Sequence, residues 1–374
     1  MTKPHHPSRS ASHLLPQGEK AFTTRRSLLA APLALGALAA CSRFAAAEPG
    51  PEAAPLKSLS SFPFGSIGMT GQLGDPAWAG EMRRHVDQIT PEWELKPERI
   101  LGTDFAYDFS ASDRMVDWGH QQGFRVFGHT LVWYSQGLEV FTDALPQARF
   151  EAEFDRYVST VAGRYRGRMV GWDVVNEAVS EDGTGLRDCV YARRLGAEDY
   201  IVRAFEQARA ADPDAVLFLN DYNLENMPNK GATFLRLVER LLKRGAPIGG
   251  IGTQSHLDIE IPAGRISAFM HDAASLGLPI HVSELDFSMI RDGGRMPDLR
   301  SLSDKRAQQV ARVGELAEAF MALPERQRFA FTTWGLRDID SWLVREGRSK
   351  DSPVLLDANG RANPAYAAVA QAFR

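Results

Sequence analysis

Eight short apolar runs, each parted from the next by a longer stretch with apolar residues at helical spacing, leave this chain few folds to choose from. The runs are residues 64–68, 86–91, 125–129, 170–176, 215–220, 249–256, 279–285 and 329–334. Between them the apolar side chains fall three and four positions apart. Phe150, Phe154, Tyr157, Val158, Val161 and Tyr165 make one such stripe, and residues 200–211, 233–242 and 306–322 repeat the pattern. Strands alternating with amphipathic helices predict parallel βαβ units, and eight of these close a single (β/α)8 TIM barrel, an α/β fold. A chain of 374 residues is long enough for one such barrel. No short repeat, low-complexity block or second-domain linker appears after residue 56.

In a barrel of this kind chemistry sits at the C-terminal ends of the strands, and there the sequence turns polar. Glu92 ends the second run, His129 the third, Asn176 and Glu177 the fourth and residues 220–223 the fifth. Gln254 and His256 end the sixth, Glu284 and Asp286 the seventh and Trp334 the eighth. The long stretch 336–353 after the eighth run predicts a binding loop.

Two of these residues carry the main expectation. Glu177 closes GWDVVNEAV and Glu284 closes PIHVSELDF, so the barrel would face two carboxylates across its mouth. Glycoside hydrolysis needs one carboxylic acid to protonate the leaving oxygen and a second carboxylate, as nucleophile or base, on the other face of the sugar. The plainer reading is two structural acids that cap helices or pair with arginines. Asn176, beside Glu177, would donate to a sugar hydroxyl next to the cleaved bond, and His256 held by Asp286 would orient Glu284 from behind. Trp93, Trp133, Tyr134, Trp334 and Trp342 offer ring faces to the apolar C–H faces of sugars. Trp78, Trp118 and Trp172 read instead as core. Glu92 and Lys96 would bind sugar hydroxyls, or else form a surface ion pair four residues apart. His129, His256 and the two acids also admit a metal reading, but no close ligand spacing such as HExxH supports it, so no metal and no cofactor are expected. A net charge of −4 and the lack of a basic run interleaved with aromatics give no argument for nucleic acid.

The N-terminus has its own logic. Residues 1–27 are polar and basic and end in Thr24-Arg25-Arg26-Ser27, and the apolar run 28–40 follows. That run is short for a bilayer span and suits the core of a signal peptide, while the paired arginines predict a twin-arginine export signal. Leu38-Ala39-Ala40-Cys41 resembles a lipoprotein box that would place a lipid anchor on Cys41. Ala45-Ala46-Ala47 fits soluble release, which is favoured. The expected organisation is a signal peptide over 1–47, an Ala/Pro-rich linker over 48–58 and the catalytic barrel over 59–374, in an exported protein of the periplasm or beyond. Once the signal is removed, Cys189 is the one certain cysteine, which leaves no intramolecular disulfide and no cysteine-built metal site.

ITPEWELKP, FGHTLVWYSQ, GRYRGRMVGWDVVNEAV, GLRDCVY, LFLNDYN, GIGTQSHL, HVSELD and TTWGLRDIDSW follow one another along the chain, with NPAY near its end. In this order, over about residues 60–372, they resemble glycoside hydrolase family 10, the retaining endo-β-1,4-xylanases. Separately, a monomer is the expected state. The resemblance implies a (β/α)8 barrel acting on xylan and xylo-oligosaccharides with retention. It puts Glu177 in the place of the acid/base and Glu284 in that of the nucleophile, with His256 and Asp286 as the pair supporting it. It also puts His129, Asn176, Gln254 and Trp133 around the sugar before the scissile bond. Trp334 and Trp342 would wall the glycone side, Glu92 and Lys96 would bind there, and Tyr222 and Asn223 would lie on the leaving-group side. The chain departs from the family where Asn usually follows the first Glu of the strand-two motif, here Trp93, and where His usually follows the strand-three Trp, here Tyr134. It departs again at 137–141, which reads GLEVF. These departures leave a related β-1,4-glycanase, on glucan, mannan or a decorated xylan, as the alternative substrate reading. A non-hydrolytic carbohydrate-binding barrel is the alternative from another class.

Overall fold

The computed structural model describes residues 53–290, 298–347 and 350–374. The twin-arginine segment, both cleavage sites with Cys41, and residues 48–52 of the linker lie outside the described residues. The strands are β1 (Phe64–Gly68), β2 (Gln88–Pro91), β3 (Arg125–Trp133), β4 (Gly171–Asn176), β5 (Val216–Asp221), β6 (Gly250–Thr253), β7 (His256–Asp258), β8 (Ile280–Ser288) and β9 (Arg328–Thr333). They pair in the order β6-β5-β4-β3-β2-β1-β9-β8-β7, all parallel, and β6 also pairs with β8, which closes the ring. The fold is the predicted (β/α)8 barrel.

The first run has its expected bounds, four others shift by one or two residues at one or both ends, and three differ more. The run 249–256 is two strands, because Ser255 adopts a φ of 56° and interrupts the extended backbone between β6 and β7. Both pieces lie along β8, at residues 280–282 and 286–288, so together they form one stave. The third and seventh runs continue past their first polar residue, to Trp133 and Ser288, because Trp133 still pairs with Asn176 and Ser288 with Asp258. These extensions carry the site's side chains above the barrel floor.

The main helices are α1 (Pro76–His85), α2 (Ser110–Gln121), α3 (Gln147–Arg164), α4 (Asp199–Ala211), α5 (Pro228–Lys243), α6 (Arg265–Ala274), α7 (Leu302–Met321) and α8 (Pro364–Ala372). Local chemistry sets several of their starts. Asp75 accepts from the Ala77 N–H ahead of Pro76, Ser301 and Asp304 form a reciprocal capping box, and the Asn363 side chain caps α8. α3 buries the expected stripe of Phe150, Phe154, Tyr157, Val158 and Val161. Such large apolar side chains contribute about 1.5–3 kcal/mol each on full burial.

Rings from strands that are not neighbours meet across the barrel axis. Phe127 packs on His281 at 4.5 Å between ring centroids, and Phe218 on Phe329 at 4.6 Å. Burial brings the His281 imidazole down to about 3, so it is neutral here and its Nε2 lies 2.8 Å from Thr332 Oγ1. Gly128 of β3 lies opposite Trp172 of β4, and a Cβ there would fall 2.1 Å from the indole, so only glycine lets the two strands pair. Trp172 and Trp78 are fully buried, and Trp78 stacks on Trp118 at 5.3 Å, as core residues should. Cys189 is a free, buried thiol. The last linker residues lie on the barrel: Leu56 is buried, and Tyr366 Oη donates to the Ala54 carbonyl at 2.6 Å.

Candidate active site

The strand ends place Glu177 and Glu284 in one hydrogen-bonded cluster. β4 ends at Asn176, and the next residue, Glu177, takes a left-handed φ of 62°, held by its own N–H donating to the Asn220 carbonyl at 2.8 Å. Glu177 Oε1 accepts from Asn176 Nδ2 at 3.1 Å and from Gln254 Nε2 at 3.2 Å. Asn220 Nδ2 donates both to Asn176 Oδ1, at 2.9 Å, and to Glu284 Oε1, at 2.8 Å. Amides from β4, β5 and the β6–β7 junction thus connect the two acids, and all of these side chains are buried. Among the described residues, neither acid caps a helix or pairs with an arginine side chain at its carboxylate.

Two imidazoles and the Lys96 side chain lie near Glu284. His256 Nε2 lies 3.3 Å from Glu284 Oε2 while its Nδ1 lies 2.9 Å from Asp286 Oδ1, off the direction of a straight hydrogen bond, so that contact is an ion pair. His129 Nδ1 is 2.8 Å from Asp173 Oδ2 and 3.9 Å from Glu284 Oε1. Burial opposes ionisation of Glu284, but His129, His256 and Lys96 outweigh it and bring the carboxyl down to about 2. Burial likewise opposes a charge on His256, and Asp286 with Glu284 overcome it and lift the imidazole to about 10. Asp173 is pushed up to about 6 by burial in spite of its bond from His129. The ligand atoms of His129, Asp173 and Glu284 lie within 4.8 Å of one another. The His129 nitrogen nearest both acids is already engaged by Asp173, which fits an imidazole bridging two acids.

The linkage has a measurable sign. His256 is raised above its ordinary value of about 6.5. Its pairing therefore stabilises the fold fully below that value and loses this contribution as pH climbs towards 10. The wild type should melt higher than His256→Asn at pH 6, and the gap in Tm should narrow steadily up to pH 10. A gap independent of pH would contradict the ion pair.

The indoles gather around Lys96 and the His256–Asp286 pair, while Tyr134 packs on Arg187. Trp334 meets His129 edge-on at 5.2 Å, and Trp342 Nε1 donates to Asp286 Oδ2 at 2.8 Å. Lys96 Nζ sits over three indoles, 4.6 Å from Trp93, 5.1 Å from Trp133 and 5.8 Å from Trp334. Burial lowers its pKa against the pull of Glu284, Glu92 and Glu177. Glu92 and Lys96 are both buried, which removes the surface ion-pair reading. The close cation at Glu92 is instead Arg345, from the loop after β9. Tyr222 lies beside the cluster, accepting from Arg187 Nη2 at 3.1 Å and donating to Glu181. Asn223 stands apart, in a left-handed turn with its Oδ1 taken by Asn226 at 2.7 Å.

Sequence reasoning gave no role to Asn220, Asp173, Arg345 or Arg187. Asp173 had a signal, since a carboxylate inside an apolar strand is costly to bury unless it is paired. Asn220 stood among the strand-five polar residues, and nothing in the sequence singled out its side chain as the link between the acids.

A parallel barrel with two carboxylates joined at this mouth, a histidine–aspartate pair behind one of them and indoles alongside, has the architecture of the barrel glycoside hydrolases. The chain belongs to glycosyl hydrolase family 10, whose model matches residues 58–372. Endo-1,4-beta-xylanase A of Cellvibrio japonicus (strain Ueda107) is 35% identical over 345 residues, 85% of this chain and 56% of the relative. Endo-1,4-beta-xylanase B of Paenibacillus barcinonensis is 38% identical over 269 residues, 70% of this chain and 80% of the relative. Among solved structures, a mutant of P fluorescens subsp. cellulosa xylanase A in complex with xylopentaose matches with a TM-score of 0.77 and 33% identity, covering 85% of this chain and 99% of that one. The chain thus spans little more than half the length of the Cellvibrio japonicus relative.

Proposed function

We propose that this protein is a retaining endo-1,4-β-xylanase. The observation that carries the reading is the amide-linked pair of buried acids with unlike surroundings. Glu284, ringed by His129, His256 and Lys96 and held well below the usual carboxylate range, is an anion ready to attack the anomeric carbon. Glu177, at the cleft end of β4 and with its carboxyl accepting from the amides of Asn176 and Gln254, is the group to protonate the leaving oxygen. It then takes the proton from the water that releases the sugar from Glu284. Asn176 is placed to donate to the neighbouring sugar hydroxyl. Trp133, Trp334 and Trp342 provide faces for the ring C–H groups, and Glu92, Lys96, His129 and Gln254 provide polar edges. Tyr222 belongs to the leaving-group side through its place beside Glu177's loop.

Xylo-oligosaccharides of defined length, followed by product analysis and by NMR of the first anomer released, test the reading. Internal cleavage with the β-anomer appearing first is expected. An α-anomer would overturn retention, and release of single terminal units would overturn endo action. Parallel assays on cellulose and mannan test the alternative substrate that Trp93 and Tyr134 keep open, because an indole in place of a hydrogen-bonding amide changes what the glycone side can grip.

The basic N-terminus with its paired arginines and short apolar core supports export, with residues 59–374 as the catalytic part. The mass of the mature N-terminus distinguishes release after Ala47 from lipidation at Cys41.

A further inference from the structure

We propose that Arg187 is a positioning residue for the acid/base carboxyl, acting through the backbone of Glu177 from a stacked seat on Tyr134. The inference rests on Glu177 being the acid/base. Glu177 is a non-glycine residue in the left-handed region, where a backbone conformation costs about 1–3 kcal/mol unless its surroundings enforce it. Two bonds enforce it from opposite sides of the residue. On the amino side, the Glu177 N–H donates to the Asn220 carbonyl at 2.8 Å. On the carboxyl side, Arg187 Nε donates to the Glu177 carbonyl at 3.0 Å. The direction in which the carboxyl leaves the strand depends on both.

The loop after Glu177 is built to return Arg187 to that carbonyl. Val179 and Leu186 form an antiparallel bridge, and the Arg187 N–H donates to the Ala178 carbonyl at 2.8 Å. The guanidinium is then fixed in three ways. Its Cζ lies 3.9 Å from the centre of the Tyr134 ring, its Nη2 donates to Tyr222 Oη at 3.1 Å, and it pairs with Glu181 at 3.5 Å. A planar fork can donate to a carbonyl and a phenol while lying flat on a ring, and an ammonium cannot. Only 12% of the Arg187 side chain is exposed, so it is not a solvated surface charge. Tyr134 therefore has a supporting role here: its ring holds the guanidinium that holds Glu177.

The test compares substrates that differ only in how much they need a proton. In Arg187→Met, kcat/KM on xylopentaose, a poor leaving group, should fall about 30-fold, since misplacement by about 1 Å can cost up to 10²-fold. On 2,4-dinitrophenyl β-xylobioside, whose leaving group departs without protonation, the loss should stay below about threefold. Arg187→Lys, which can reach the carbonyl but not all three partners, should recover part of the xylopentaose loss. Equal losses on both substrates, or none, would overturn the proposal, and so would a variant whose losses simply follow a lowered Tm. Glu177→Ala measured alongside separates the two ideas. If it shows no difference between substrates, the acid/base reading itself fails; if it does and Arg187→Met does not, only the role of Arg187 fails.

Discussion

Glu284→Ala is expected to lower kcat on xylan by at least about 10⁵-fold while leaving the fold intact, because removing a covalent nucleophile typically costs that much. The size follows from what nothing else in the site can supply. Asp286, the next carboxylate along β8, is paired with His256 and bonded by Trp342, so it cannot take the anomeric carbon in place of Glu284. The substitution leaves Asn220 Nδ2 and His256 Nε2 short of an acceptor, but Asn176 still receives Asn220 and Asp286 still holds His256. Circular dichroism should therefore be unchanged, and Tm should move by only a few degrees. The methyl group leaves room on the face opposite the leaving group, so azide added to this variant should attack there and yield an α-glycosyl azide from an activated β-xylobioside. Turnover near wild type, or an azide product of β configuration, would remove Glu284 from the nucleophile's role.

Much of this site was legible because barrel strands place their end residues together whatever the loops do. The residues 176–177, 254–256 and 284–286 end runs whose apolar pattern marks them as strands, so their convergence followed from the fold alone. Glu92 shows where such reasoning stops. Its spacing from Lys96 is equally that of an exposed i, i+4 pair, and only tertiary packing shows it buried beside Arg345, which lies far along the chain. The same limit applies to Asn220. Pattern reads which strand end a residue occupies, but whether its amide turns into the barrel to join two acids depends on side-chain geometry. Ser255 is a third case. A serine in the left-handed region has no signature in hydrophobic periodicity, so the sixth run read as one strand where the backbone breaks it into two.

Glu177→Ala is expected to divide substrates by their leaving groups. An acid that protonates the departing oxygen contributes about 10²–10⁴-fold where the leaving group is a poor one. On xylopentaose, kcat/KM should fall by that factor. On 2,4-dinitrophenyl β-xylobioside the phenolate departs unaided, so kcat/KM, which reports formation of the glycosyl-enzyme, should fall less than about tenfold. The second half of the reaction is then impaired, because the water that releases the sugar has lost its base. The glycosyl-enzyme accumulates, and kcat and KM on the activated substrate should fall together. Azide needs no base, and the space left by the carboxyl between Asn176 and Gln254 admits it. It should restore kcat and give a β-glycosyl azide, since it attacks the intermediate from the face the leaving group vacated. This is the configuration opposite to that expected with Glu284→Ala. The two products together place the two carboxyls on opposite faces of the same sugar, a result that neither two structural acids nor a non-hydrolytic binding barrel would produce.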